Sequence, residues 1–218
     1  MRSPNFGPRK DGLRPDLIII HYTAMASADG AIRHLCDPAT QVSAHYVICS
    51  AGHVTPLVDE AMRAWHAGAA SWGGEADVNS RSIGIELAND GFQPFSEPQM
   101  TALEDLVRGI MARWDIPPEG VLGHSDVAPG RKIDPGRRFD WRRLARQGLA
   151  VWPEPGAPGD WLSDLHHAGY AADAEPEVLL SALRLRFRPG AAGPLCDADR
   201  VIAAGLAAQF PARPARRA

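Results

Sequence analysis

The sequence predicts an α/β fold, in which a mixed central β-sheet is flanked by helices, followed by a small C-terminal module of three helices. Three observations predict it. Short apolar strand patterns alternate with helical patterns over residues 1–152, which is typical of an α/β layer. A Pro- and Gly-rich segment, 153–159, is unsuited to helix or strand and is predicted to be a linker. Three short helical patterns then occupy 160–212.

The first strand is predicted at Leu17–Ile20, a compact apolar run with β-branched residues. Such a run is typical of a central strand that is buried on both faces. It ends at His21, which places an imidazole at the rim of the sheet. Residues 44–49 and 53–58 are rich in β-forming side chains and predict a hairpin around the intervening turn.

Two further strands lead to polar side chains. Residues 83–87 form a short apolar run that carries Glu86 in its middle. Residues 121–123 form another, which runs directly into His124. Titratable groups are therefore expected at, or within, buried strands of the same sheet.

The longest helix is predicted to begin after Ser96. Gln99 would complete a capping box with this serine, and Pro98 suits the first helical turn. Apolar residues then recur at helical spacing and predict one buried stripe, formed by Met100, Leu103, Leu106, Val107, Ile110, Met111 and Trp114. The two prolines at 117 and 118 end this pattern.

The C-terminal helical patterns begin near Asp160, after Pro176 and after Asp197. A unit of about 60 residues has a marginal core of its own, so we expect it to dock on the first domain. The basic residues of 213–218 are few and are interspersed with Pro and Ala, which predicts a solvated tail.

Composition narrows the function and the location. The net charge of -3 and the pI near 6.2 argue against a nucleic-acid-binding protein. No apolar run approaches the ~18 residues of a membrane span. The N-terminal residues carry neither a secretory signal nor a lipid-bearing cysteine, so we expect a cytoplasmic protein, or a periplasmic or outer-membrane-associated one if the natural N-terminus is longer.

His21, His124 and Asp134 are candidate metal ligands. Catalytic zinc takes three protein ligands from His, Asp, Glu or Cys and leaves a fourth position open. Asp134 lies in a loop after His124 whose two Pro-Gly pairs could return the carboxylate towards that histidine. The alternative is two ordinary strand-end histidines and a turn aspartate.

Glu86 and Lys132 are candidates for catalysis. A buried carboxylate must be neutralised, paired or functional, so Glu86 is either a general acid/base or the partner of a cation such as Arg81. Lys132 lies two residues before Asp134, a spacing that in extended chain gives both side chains one face. It could stabilise an oxyanion there, or be a solvated loop lysine.

The other histidines and the missing motifs narrow the class of enzyme. His45 and His66 either line a pocket or are hydrogen-bonded structural histidines. The sequence contains no His-Glu-x-x-His motif, which disfavours thermolysin-like proteases. It also contains no Gly-x-Ser-x-Gly motif, which disfavours the common serine hydrolases.

Six segments together resemble the type 2 N-acetylmuramoyl-L-alanine amidases, which are zinc-dependent relatives of peptidoglycan recognition proteins and phage lysozyme-type amidases. The resemblance covers about residues 14–152. Its segments are Ile19–Thr23, Val42–Tyr46, Ala64–Gly68, Ser82–Glu86, Gly123–Asp126 and Lys132–Gly136. Residues 160–212 resemble a peptidoglycan-binding-like helical module, as found in the Gram-negative lipoprotein amidase subgroup.

The resemblance implies a role for individual residues. The zinc ligands would be His21, His124 and Asp134, the catalytic acid/base Glu86, and the transition-state lysine Lys132. The expected substrate contacts are His45, Tyr46, His66 and Arg81.

The implied activity is zinc-dependent hydrolysis of the amide bond between N-acetylmuramic acid and L-alanine, in peptidoglycan or in (1,6-anhydro)muropeptides, during cell-wall turnover and recycling. The expected partner is that substrate, bound by a monomer, with no nucleic acid and no membrane span. A non-catalytic peptidoglycan-binding protein, a zinc peptidase acting within the stem peptide and a phage-type endolysin are the alternatives.

Overall fold

The computed structural model describes residues 1–171 and 173–217. The strands, in chain order, are β1 (Phe6–Gly7), β2 (Leu17–Tyr22), β3 (Tyr46–Ile48), β4 (Val54–Pro56), β5 (Arg63–Ala64), β6 (Ser71–Trp72), β7 (Glu75–Ala76), β8 (Ser82–Leu87) and β9 (Val121–Gly123). The helices are α1 (Ala28–Cys36), α2 (Val78–Arg81), α3 (Glu97–Trp114), α4 (His124–Val127), α5 (Trp141–Arg146), α6 (Trp161–Ala168), α7 (Pro176–Phe187) and α8 (Asp197–Gln209).

The central sheet has five strands in the order β4-β3-β8-β2-β9. The β3–β4 pair is the predicted hairpin and is antiparallel. The other neighbours, β3–β8, β8–β2 and β2–β9, are parallel, so the sheet is mixed as predicted. Because β2 lies between β8 and β9, it is an internal strand, and its apolar residues are buried.

The two faces of the sheet are covered by different parts of the chain. Side chains alternate between faces along a strand. Ile18 and Ile20 pack with α3 and α5, whereas Leu17 and Ile19 pack with residues of α6, α7 and α8. The C-terminal helices therefore dock on the first domain, as predicted, and they cover the β2 and β9 part of this face, whereas α1 packs on β3.

The segment 153–159 has neither helix nor strand, as predicted. It runs along α8, where the Gly156 amide donates to the carbonyl of Val201 at 2.8 Å. A Cβ at Gly205 would lie 2.1 Å from the carbonyl oxygen of Glu154, so only glycine permits this close approach. The Pro- and Gly-rich segment 153–159 therefore packs against α8 and does not interrupt the packing of the chain.

Helix α3 begins after Ser96 and carries Pro98 in its first turn, as predicted. The predicted capping box is wrong. The Ser96 hydroxyl donates to the carbonyl of Ser50, and the Gln99 amide donates to the carbonyl of Ile48 at 2.8 Å. Both side chains tie the helix to the β3–β4 hairpin, because that sheet edge offers carbonyl acceptors within reach.

Residues 213–217 are mostly exposed, as expected of a solvated tail, but they also contact the first domain. The Arg216 amide donates to the Asp16 carboxylate at 3.1 Å, and the Arg216 carbonyl accepts from the amide of Arg14 at 3.2 Å. Arg213 pairs with Glu119 at 2.6 Å. Carboxylates of the first domain thus attract the basic residues; Ala218 lies outside the described residues.

Within the described chain, every helix is too short or too polar to cross a bilayer.

Candidate active site

The candidate site lies where three parallel strands end. The register of β2 and β8 pairs His21 with Glu86, and that of β2 and β9 pairs Ile20 with Gly123. His124 follows Gly123 directly and opens α4. Because paired residues of parallel strands lie at the same level, the sheet brings two imidazoles and one carboxylate to its carboxyl edge.

The loop after α4 returns to this edge. The Ser125 amide donates to the carbonyl of Asp134 at 2.9 Å, and the Lys132 amide donates to the carbonyl of Ala128 at 3.0 Å. These bonds close the loop and place Oδ2 of Asp134 at 3.0 Å from Nδ1 of His124. The expectation that this loop turns its carboxylate towards His124 is confirmed.

Three ligand-type atoms converge here. Nδ1 of His21 lies 2.9 Å from Nδ1 of His124 and 2.9 Å from Oδ2 of Asp134. All three side chains are buried. Tetrahedral coordination with zinc bonds of about 2.0–2.1 Å would place the ligand atoms roughly 3.3 Å apart, so the observed triangle is close to the size that zinc requires.

A chain of hydrogen bonds fixes the proton of His21. The Ser82 hydroxyl donates to the carbonyl of Val78 at 2.6 Å, so its oxygen accepts from Nε2 of His66 at 3.1 Å. Nδ1 of His66 then accepts from Nε2 of His21 at 3.0 Å. Burial and the neighbouring His124 lower the pKa of His21 to about 4, so the ring is neutral and its Nδ1 presents a lone pair.

His124 is oriented in the same way. Its Nε2 lies 3.0 Å from the carbonyl oxygen of Ala67, which can only accept. In the neutral ring that donates to this carbonyl, Nδ1 presents a lone pair towards His21 and the Asp134 carboxylate. Three electron-pair donors facing one another in a buried site repel unless a cation lies among them. These residues consequently fit a zinc ion.

Glu86 lies beside this cluster without a hydrogen-bond partner for its buried Oε2 in the described part of the chain. Burial and the Asp134 carboxylate raise the pKa of Glu86 to about 8, and Lys132 opposes that shift. The alternative of a salt bridge to Arg81 is wrong, because Arg81 pairs with Asp16 through two contacts of 2.8 Å. Glu86 is therefore free to act on a bound molecule.

A cavity of about 560 Å³ opens over these groups, within the range of small-molecule sites. His21, His124, Asp134, Glu86 and Lys132 all line it, so the predicted ligand and catalytic residues share one space. Apolar and aromatic side chains also line it, among them Tyr22, Met25, Val42, Trp65 and Ile133. A second cavity, between the sheet and the C-terminal helices, has a volume of only about 50 Å³.

Of the four expected substrate contacts, the structure places only His66 at the cavity. His45 is a structural histidine, because its Nε2 donates to the Met62 carbonyl at 3.1 Å and its Nδ1 accepts from the Gly84 amide at 2.9 Å. The Tyr46 hydroxyl donates to Glu60 at 2.7 Å. Arg81 lies at the opposite end of the strands, paired with Asp16.

Sequence reasoning missed Arg131, Trp65 and Ser82. Arg131 and Trp65 line the cavity. Ser82 supports the ligand His21 through His66. Trp65 precedes His66, and Ser82 opens the segment that ends at Glu86. Both segments carry the family resemblance, which was the sequence signal that could have identified these residues.

Residues 11–137 match the sequence profile of the N-acetylmuramoyl-L-alanine amidase family. This chain belongs to that family. It is 35% identical to N-acetylmuramoyl-L-alanine amidase AmiD of Escherichia coli over 234 residues, with 90% of this chain and 84% of AmiD covered. It is 34% identical to 1,6-anhydro-N-acetylmuramyl-L-alanine amidase AmpD of Haemophilus influenzae, with 66% of this chain and 88% of AmpD covered.

Solved structures of family members share the fold. Escherichia coli AmiD, in complex with the substrate anhydro-N-acetylmuramic acid-L-Ala-D-γ-Glu-L-Lys, superposes with a TM-score of 0.82 at 33% identity and covers 96% of this chain and 93% of its own. AmpDh3 of Pseudomonas aeruginosa, in complex with an anhydromuramic pentapeptide, gives 0.83 at 31% identity, with 93% and 95% covered. The predicted fold class and the amidase assignment are confirmed.

Proposed function

We propose that this amidase is zinc-dependent and hydrolyses the bond between N-acetylmuramic acid and L-alanine in soluble anhydro-muropeptides. The observation that carries the proposal is the triangle formed by Nδ1 of His21, Nδ1 of His124 and Oδ2 of Asp134, whose sides are no longer than 3.0 Å. Glu86 lies beside it, and its Oε2 has no hydrogen-bond partner among the described residues. Family membership supports the bond that is cut. The AmiD and AmpDh3 complexes with anhydromuramyl peptides support the class of substrate.

His21, His124 and Asp134 would hold zinc beside the cavity that all three line. The chemistry that zinc supplies when bound is Lewis acidity towards water and a carbonyl oxygen. His21 and His124 suit this role, because a neutral imidazole offers a lone pair. Their outer nitrogens are each engaged by a neighbour, which is the arrangement that orients metal-binding histidines.

Glu86 acts as general base and then as general acid. It accepts a proton from the attacking water and delivers one to the nitrogen of the leaving L-alanine. Its position suits both steps, since burial keeps the pKa of the carboxyl near neutral pH, where a group can take up and release a proton. Its partnerless Oε2 leaves an acceptor for water.

Lys132 stabilises the negative charge that develops on the carbonyl oxygen as water adds to it. Its ammonium lines the same cavity as the three ligands, and a cation aimed at a developing oxyanion lowers the barrier. The apolar wall formed by Trp65, Met25 and Ile133 would contact the sugar and the stem peptide.

The wider organisation belongs to the same proposal. We assign 1–152 to catalysis, 153–159 to a connection and 160–212 to a peptidoglycan-binding-like module, in a protein that acts as a monomer. Soluble muropeptides as substrates favour a cytoplasmic recycling enzyme. Recovery of the native protein with the outer membrane after cell fractionation would contradict that location, and light scattering of the purified protein tests the monomer.

Product masses test the reaction. The zinc-loaded protein is incubated with an anhydro-muropeptide and, separately, with intact sacculi, and the products are analysed by mass spectrometry. The expected products are a free peptide beginning with L-alanine and a peptide-free anhydro-sugar. Products cut within the stem peptide would indicate a zinc peptidase, and binding without products would indicate a non-catalytic peptidoglycan-binding protein; either result contradicts the proposal.

A further inference from the structure

Asp126 connects the C-terminal helices to the metal-ligand segment. Its carboxylate is fully buried and accepts three hydrogen bonds. The Gly123 amide donates to Oδ2 at 2.8 Å, which closes the turn that carries His124. The other two donors come from the C-terminal module: the Tyr170 hydroxyl, at 2.9 Å from Oδ1, and Nη1 of Arg186, at 2.8 Å from Oδ2.

Both module residues are suited to hold this carboxylate firmly. Burial and the nearby Asp126 raise the pKa of Tyr170 well above its usual value, so the hydroxyl keeps the proton that it donates. Arg186 is 3% exposed and also donates to the Val121 carbonyl at 3.2 Å. Its guanidinium lies 4.2 Å from the ring centroid of Trp141. Arg186 therefore ties β9, α4 and α5 together.

Helix α7 also packs on the loop between the ligands. A Cβ at Gly130 would lie 2.9 Å from a methyl group of Val178, so the loop backbone touches α7 directly. Val127 belongs to the same buried cluster as Leu179 and Leu183. The segment between the two ligands thus contacts the C-terminal module at Asp126, Val127 and Gly130.

The turn that carries His124 cannot hold its shape alone. Helix α4 has four residues, and a single helical turn is unstable without tertiary contacts. Its tertiary contacts include Tyr170, Arg186 and the apolar face of α7. The position of His124, and with it the size of the ligand triangle, depends on these contacts.

We propose that the C-terminal module positions the metal site: through Tyr170 and Arg186 it fixes Asp126, and through Asp126 the turn that presents His124 to the metal. The inference rests on the proposed function, since it concerns the zinc that His21, His124 and Asp134 would hold. It gives the module a task within the catalytic domain, separate from any contact with glycan.

Two substitutions each remove one of the module's hydrogen bonds to Asp126, and a third is the matched control. Tyr170→Phe removes one hydroxyl and keeps the ring. Arg186→Met removes the guanidinium and keeps an apolar stem. Arg184→Met is the control, because Arg184 is a similarly buried arginine of α7 that pairs with Asp199, at 2.6 Å, inside the module.

Zinc affinity, measured by competition with a chelator, is the main readout; thermal unfolding of the zinc-free proteins and the kcat and KM for an anhydro-muropeptide accompany it. We expect Tyr170→Phe and Arg186→Met to weaken zinc binding about 10-fold, as changes around metal ligands commonly do, and to lower kcat more than they change KM. Arg184→Met should lower the unfolding temperature and leave zinc affinity unchanged.

The inference is overturned if Tyr170→Phe and Arg186→Met bind zinc like the wild type, or if Arg184→Met weakens zinc binding as much as Arg186→Met does. The wild type separates this inference from the proposed function. A wild type that binds zinc yet cuts no muropeptide contradicts the proposed function alone, and the zinc affinities of the variants still decide the role of the module.

Discussion

The two ends of β2 and β8 both carry buried charged or polar groups, yet the two sets are built differently. At the amino end, Asp16 and Arg81 form a pair with two contacts of 2.8 Å. At the carboxyl end, His21, His124 and Asp134 turn lone pairs towards one another. One set satisfies its own charges, whereas the other is arranged so that it could hold a metal ion.

The amino-end pair has its remaining atoms satisfied as well. Nη1 of Arg81 donates to the Trp72 carbonyl at 3.0 Å, and Asp16 accepts from the Arg216 amide at 3.1 Å. Glu86, by contrast, keeps a buried oxygen that forms no hydrogen bond with any described residue. The comparison teaches that burial of a charge does not by itself mark a functional site; the carboxyl end is distinguished by three ligand-type atoms that converge beside Glu86.

Removing a metal ligand at the carboxyl end should have the largest effect on zinc binding. Asp134→Ala leaves only the two imidazole ligands, so zinc affinity should fall by more than about 100-fold, since changes in the outer shell alone cost about 10–100-fold. Chelator competition measures the loss. Circular dichroism should show an unchanged fold, and wild-type affinity in this variant would remove Asp134 from the site.

Glu86→Gln should abolish most turnover while zinc stays bound. Glutamine keeps the shape of the side chain but cannot accept the proton, so kcat should fall by about 10²–10⁴-fold, the usual contribution of a general acid/base. Muropeptide hydrolysis and metal content are measured on the same preparation. A variant that retains wild-type turnover would show that Glu86 is not the acid/base.

Asp16→Asn should affect stability and spare the chemistry. It leaves the Arg81 guanidinium buried without its counter-charge, which typically costs about 3–5 kcal/mol of unfolding free energy. Urea unfolding measures this cost. The paired replacement Asp16→Leu with Arg81→Met should recover most of it, because no charge is then left buried. Loss of zinc affinity in the folded Asp16→Asn protein would contradict the separation of the two ends.

Ser82→Ala should have the smallest effect on zinc affinity. It removes the acceptor for Nε2 of His66, so the proton on His21 is less firmly fixed and zinc affinity should fall by about 10-fold or less. Ser80→Ala is the control, since Ser80 is equally buried and donates to Asp77 at 2.7 Å, away from the ligands. Equal zinc affinities for the two variants would exclude this role of Ser82.

Much of the site followed from local sequence patterns. Alternation and β-branched content locate the strand that ends at His21, the strand that contains Glu86 and the strand that precedes His124. The loop to Asp134 closes as its Pro-Gly pairs suggested. Strand patterns work here because three parallel strands of one sheet end at a common edge, so positions in sequence translate directly into positions in space.

The expectations that went wrong all concern the partners of polar groups. Gln99 bonds to the sheet instead of to its own helix, His45 is held inside the core, and Arg81 pairs with Asp16 instead of Glu86. Each of these side chains had a plausible local or catalytic role in the sequence. Its actual partner is distant in the sequence, so local sequence patterns do not indicate the contact.

The sequence by itself determined the strands, the helices and the residue types at the sheet edge, because periodicity and composition act over a few neighbouring residues. Only the tertiary structure decided that the C-terminal helices cover the β2 and β9 part of one face of the sheet and hold Asp126. Arg81 and Asp16 are 65 residues apart, and Arg186 and Asp126 are 60 apart. Which buried charge meets which partner is set by the packing of distant segments, and this depends on the whole fold.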